Sequence, residues 1–141
     1  MTIPPRRALS DEERVDWLRL SHANNVGPIT FFALLRRYGS VGAAIAELPR
    51  LAEKAGRTRA PSVPAAAEIK REIDRTARLG ARHIAACEPD YPESLAAIED
   101  APPVISAGRN IALFERPSVA IVGARNASLN GRRIAAKLAN L

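Results

Sequence analysis

The residues with the clearest chemical potential lie late in the chain: Ser118-Val119-Ala120-Ile121-Val122-Gly123-Ala124-Arg125-Asn126-Ala127-Ser128, then Leu129-Asn130-Gly131-Arg132-Arg133. An unbroken Val/Ile run reads as a buried parallel strand. The glycine permits a tight turn. The helical pattern that follows begins with backbone N–H groups that have no intrahelical partner, at the positive end of the helix dipole. Both features favour an anion, most often a phosphate. Arg125 adds a planar cation suited to phosphate oxygens. It follows the apolar run by three residues, which places it at the C-terminal end of the strand, where ligands collect in open α/β sheets. Ser128 either caps the helix or touches the phosphate. The plainer reading is an ordinary strand–helix turn with a solvated arginine, and the turn taken alone does not choose between the two.

The charge distribution favours the first reading. The chain has 141 residues and a net charge of +6, from 21 basic and 15 acidic side chains. Residues 1–107 hold 15 basic and 14 acidic groups, close to balance. Residues 108–141 hold Arg109, Arg116, Arg125, Arg132, Arg133 and Lys137 against Glu115 alone. Such a patch attracts polyanions and is screened by salt.

Other chemistries find little support. One cysteine, Cys87, excludes an internal disulfide and a cysteine-rich metal site, and it reads as a small packed hydrophobe. His22 reads as a surface residue near a helix end and His83 as part of a strand; neither has metal-ligand spacing. No Ser–His–Asp set or paired-carboxylate motif stands out. The Gly123 turn lacks the second and third glycines of a dinucleotide fingerprint and the G-K-[ST] ending of a P-loop. The expectation is therefore no catalytic residue, no metal and no cofactor. No apolar run approaches the roughly 20 residues that cross a bilayer. The start of the chain, with Pro4, Pro5, Arg6 and Arg7, lacks an apolar signal core, so a cytoplasmic protein with no membrane partner is expected.

The elements that position these residues follow from caps and periodicity. Residues 1–9 read as a disordered tail. Ser10 and Glu13 form a capping box that opens a helix over 11–22. Asn24-Asn25-Val26-Gly27 is a turn, and Pro28 suits the first position of a helix running to Tyr38 and stopped by Gly39. Ser40 caps a helix over 41–47, and a short one follows over 49–55. Residues 57–63 form a polar, exposed and mobile connection, and Pro64 opens a longer helix with Ile69, Ile73 and Ala77 on one face. After Gly80 the period changes. Strands are expected over 82–86, 104–107 and 119–122, with a short helix over 93–98, a helical turn over 111–114 and a helix over 129–141 carrying Ile134, Leu138 and Leu141 on one face.

The fold class is α+β: an all-α bundle over 10–80, then the opening strands and helices of a Rossmann-like α/β domain over 81–141. A doubly wound sheet needs more strands than these, so the chain reads as a fragment of a longer protein. The segment Val26-Gly27-Pro28-Ile29 between two short helices has the outline of a helix–hairpin–helix. Ile29 occupies the second glycine position and Pro28 removes a donor, so a plain helix–turn–helix corner is the preferred reading. Arg36 and Arg37 are available for a backbone contact there.

The order of these pieces resembles one family. Val26-Gly27-Pro28 is followed by Leu34-Leu35-Arg36-Arg37-Tyr38-Gly39-Ser40, Tyr91-Pro92-Glu93-Ser94-Leu95, Ala101-Pro102-Pro103-Val104-Ile105, Gly108, and Val119-Ala120-Ile121-Val122-Gly123-Ala124-Arg125. This is similar to the N-terminal part of the DprA (Smf) DNA-processing proteins and covers nearly all of the chain after Ser10. The resemblance implies a sterile-alpha-motif-like helical domain before an extended Rossmann-like domain. It implies binding of single-stranded DNA during natural transformation and loading of the RecA recombinase. It also allows a homodimer through a C-terminal part beyond this chain. A Gly-Ser-Arg turn lines the family's DNA pocket. Gly123, Ala124 and Arg125 correspond to it, with Ser128 and Gly131 at the family spacing and Arg132 and Arg133 following. Ala124 lacks the serine hydroxyl, and Asn130 stands where the family usually has tyrosine. The competing class is a Rossmann-like enzyme acting on a nucleotide phosphate, such as a nucleoside-monophosphate hydrolase. That chemistry needs a catalytic carboxylate and a glycine-rich partner loop, and neither is visible. A third reading makes the helical region a protein-interaction module.

Overall fold

The computed structural model describes residues 4–56, 59, 61–108 and 110–140. Helix α1 (Asp11–Ser21) starts where Ser10 Oγ accepts a hydrogen bond from Glu13 N at 3.2 Å. The Glu13 carboxylate accepts in return from Ser10 N at 2.9 Å. Two of the orphan donors of the first turn are thereby satisfied. Helix α2 (Pro28–Tyr38) opens on proline and closes on Gly39, whose φ of 76° lies in the left-handed region that glycine tolerates best. Ser40 Oγ then accepts from Ala43 N at 3.2 Å and caps α3 (Val41–Lys54).

Helix α3 differs from expectation. It is one helix with Pro49 inside it, not two. Proline forfeits a single backbone bond in the helix interior. Ala44, Leu48 and Ala52 are all buried, and their shared face carries the helix across that defect. Helix α4 (Ala66–Arg78) begins after Ala65, whose N–H donates to Glu68 Oε2 at 3.0 Å, two residues later than Pro64. Of the connection expected over 57–63, residues 57, 58 and 60 lie outside the described residues.

Strands β1 (Ala81–Ala85) and β2 (Val104–Gly108) pair antiparallel, with Ala81 opposite Gly108 and Ala85 opposite Val104. A turn and the short helix α5 (Glu93–Ala96) connect them. Trp17, Leu20, Phe31, Phe32, Val41 and Leu48 form one cluster with Ile84, Cys87, Tyr91 and Ala107. Trp17 and Phe31 meet with ring centroids 5.0 Å apart, a tilted packing. The helices and the two strands thus share a core, although helix gives way to strand at Gly80. The compact units are Met1–Ile111 and Ala112–Leu141. Residues 4–9, expected as a free tail, make defined contacts: Leu9 is buried, Arg7 N donates to Cys87 O at 2.7 Å, and Arg6 Nη1 donates to Pro89 O at 2.7 Å. Residues 1–3 lie outside the described residues.

A partly buried ion pair fixes the β1 end. Arg14 makes two 2.8 Å bonds to Glu88 and a third, of 3.1 Å, to His83 O. Burial pushes the Glu88 carboxyl up, but the bonds from Arg14 and Ala85 N outweigh it and hold the group below the usual carboxylate range. Tyr91 is fully buried, and its hydroxyl donates to Pro102 O at 2.8 Å.

The second unit contains a 3₁₀ turn (Ile111–Glu115), an irregular stretch, and α6 (Leu129–Ala139). The strand expected over 119–122 does not form. Val119 and Val122 are 91% and 92% exposed, and no ladder bonds reach them. An apolar run becomes a strand only beside a partner that takes up its N–H and C=O groups. The only sheet among the described residues is the antiparallel pair β1–β2. Leu141 lies outside the described residues. Among the described residues, no helix is long and apolar enough to cross a membrane.

Candidate nucleic-acid interface

The candidate site is built on the segment before α6. Gly123 and Ala124 are exposed and irregular, and the chain bends at Arg125 and Asn126. Gly123 has no positive φ, and a Cβ built on it meets nothing within 4 Å. The local fold therefore does not demand glycine there; what glycine leaves is open backbone that a ligand can approach. Ser128 Oγ accepts from Gly131 N at 3.2 Å and caps α6. Capping is thus one role it fills, and its own hydroxyl hydrogen stays available to donate.

Arg125 stands on an exposed turn and not at the end of a buried strand, which corrects the placement drawn from the apolar run. Arg132 and Arg133 follow within the first two turns of α6 and are exposed. The structure thus brings Arg125, Ser128, Arg132 and Arg133 to one helix start by chain proximity. No acidic residue occupies the first turn of α6. Cations beside a helix N-terminus oppose the dipole, so this end gains from a bound anion. None of Arg116, Arg125, Arg132, Arg133 and Lys137 has a carboxylate within ion-pair distance among the described residues. Arg109 lies outside them.

Away from this site, Cys87 and His83 are packed in the interior. Cys87 is buried, and burial pushes its thiol up to about 11. His22 ends α1, as expected, and its Nε2 lies 3.2 Å from Glu72 Oε1. His83 Nε2 lies 3.3 Å from the same oxygen. Neither contact had a signal in the sequence, because Glu72 is 50 residues from His22 and the three residues meet only when α1, α4 and β1 pack.

A helical segment, a strand pair and a basic, exposed helix start give a protein of mixed α and β structure. Two family models divide the chain between them. Residues 11–77 match a DprA-like N-terminal HHH domain, and residues 82–141 match DNA recombination-mediator protein A. The chain belongs to the DprA (Smf) family, and its role lies in DNA processing and recombination. No curated protein matches the chain.

Proposed function

We propose that the chain binds single-stranded DNA and helps load the RecA recombinase onto it during natural transformation, without catalysing a reaction. Gly123, Ala124, Arg125, Ser128, Arg132 and Arg133 form the phosphate site in this reading. The observation that carries it is the exposed and unpaired set of cations around the start of α6, in a chain of a DNA-recombination family. Guanidinium groups there grip phosphate oxygens, and the capped helix start adds backbone donors. Ala124 offers no hydroxyl, which leaves more of the contact to Arg125. We take residues 10–80 and 81–141 as the functional segments and the cytoplasm as their compartment. A homodimer formed outside the described residues is compatible with this reading.

The test is a titration of oligo(dT) with the Arg125→Ala variant, with melting curves alongside. The expected loss is about 1–3 kcal/mol, the scale of charge-assisted hydrogen bonds. Melting is expected to be unchanged, because an exposed arginine contributes little to stability. Arg125→Lys is expected to recover only part of the affinity, because a point charge cannot make the two-pronged contact. Unchanged affinity in a folded Arg125→Ala variant would overturn the assignment.

A further inference from the structure

Helix α4 carries a second basic surface, far from the Gly123 turn in sequence. Its inner side is set by Ile69, which is fully buried, and Ile73, which packs beside it. At 3.6 residues per turn, Arg71, Arg75 and Arg78 fall within about 60° of one another, on the side opposite those two isoleucines. They follow one another along the axis at rises of about 6 Å and about 4.5 Å. All three are exposed.

In the same unit Arg6, Arg7, Arg14, Arg19, Arg50 and Arg82 pair with Glu93, Glu13, Glu88, Asp16, Glu47 and Asp90. The three on α4 have no such carboxylate among the described residues. Among the described residues, Arg36, Arg37, Lys54 and Lys70 also have no ion pair, but only Arg71, Arg75 and Arg78 fall in line along one face. Their one side-chain bond there runs from Arg71 Nε to Ala67 O at 3.3 Å, which leaves the terminal nitrogens of Arg71 free. Of the acids flanking the stripe, Glu68 is turned back to Ala65 N. Asp74 is exposed and lies about 60° around the helix. Arg75 and Arg78 lie in the last turn of α4, where the helix dipole favours cations, but Arg71 lies before that turn and gains nothing from the effect, and it repels Arg75 at i+4.

We propose that this face of α4 binds the phosphodiester backbone of single-stranded DNA, as a contact separate from the Gly123 turn. The proposal rests on the DNA-binding reading above. Three guanidinium forks in line match a strand that presents phosphates in series. The face carries no aromatic ring for base stacking, so its contribution is independent of sequence and sensitive to salt.

The experiment compares full-length chains by fluorescence anisotropy of labelled oligo(dT) at several salt concentrations. In Arg71→Gln/Arg75→Gln/Arg78→Gln the slope of log K against log salt is expected to become shallower by roughly 0.7 for each phosphate that is no longer neutralised, about 2 if all three arginines engage. Affinity at low salt is expected to fall at least tenfold. A control, Arg6→Gln/Arg50→Gln/Lys54→Gln, removes the same charge elsewhere and is expected to keep the original slope. An unchanged slope in the α4 variant, or an equal change in the control, overturns the proposal. If Arg125→Ala weakens binding while the α4 variant does not, the α4 surface fails and the Gly123 site stands. If the unmodified chain has no affinity for oligo(dT), both fail. Should the glutamine variant not fold, the triple lysine variant keeps the charge and replaces it: it is expected to keep most of the slope and lose affinity, and full affinity would overturn the guanidinium contact.

Discussion

His83 is 5% exposed, and its Nδ1 has no hydrogen-bond partner among the described residues. Its Nε2 faces Glu72 Oε1, with His22 on the same oxygen and Arg14 bonded to the His83 carbonyl. Burial lowers its pKa from 6.5, and the Glu72 carboxylate only partly opposes this. Protonation would put a second N–H on a buried ring edge that lacks an acceptor. Because the folded value is below the unfolded one, the stability His83 contributes is whole above pH 6.5 and is lost as pH falls through the folded value. Stability is therefore expected to fall between pH 7.5 and pH 5.5, by up to about 1.4 kcal/mol per pH unit, and the melting temperature to drop with it. His83→Gln is expected to flatten that decline; an equal decline in the variant would assign it to other groups.

Helix α3 shows how an element is settled by its burial more than by its punctuation. Pro49 signals a break, yet the helix runs from Val41 to Lys54. Pro49 itself is exposed, so its ring contributes little packing. Pro49→Ala supplies the missing N–H and relieves the clash of the ring with the preceding turn. The interior propensity difference is about 3 kcal/mol, reduced by the greater entropy of the unfolded chain. A net stabilisation of about 1–2 kcal/mol is expected in urea unfolding, and a destabilised variant would show that the proline is needed for the packing of α3. The opposite case is the segment 119–122. Its residue types suit a strand, but no neighbouring strand among the described residues receives it, and Val119 and Val122 stay exposed.

On the scale of the whole molecule, the helices and the β1–β2 pair form one unit through their shared core. Ile84, Cys87, Tyr91 and Ala107 belong to the same buried cluster as the aromatic rings of α1 and α2. A chain cut after Gly80 would lose that part of the cluster and the Arg14–Glu88 pair. It is expected to lose the cooperative melting that a chain of residues 1–111 retains, and to bind a hydrophobic dye; a sharp transition in the shorter chain would show an independent helical core. The family boundary and the folding boundary therefore answer different questions. Family matches end and resume on either side of Gly80, while the compact unit continues to Ile111.

The sequence by itself determined whatever depends on near neighbours along the chain. The Ser10 and Glu13 cap, the proline start of α2, the glycine stop at Gly39, the Ser40 and Ser128 caps and the change from helix to strand at Gly80 all arise from contacts within a few residues. So does the crowding of Arg125, Arg132 and Arg133 at the start of α6. The inward pattern of α4 is legible too, from Ile69 and Ile73. Only the tertiary structure decided the contacts between distant segments. It joined β1 and β2 to the helical core, paired Arg14 with Glu88, set Glu72 between two histidines and held α3 together across Pro49. Among the described residues it also left 119–122 without a strand partner. Those outcomes depend on which surfaces meet, and hydrogen-bond partners and burial brought from dozens of residues away leave no local pattern to read.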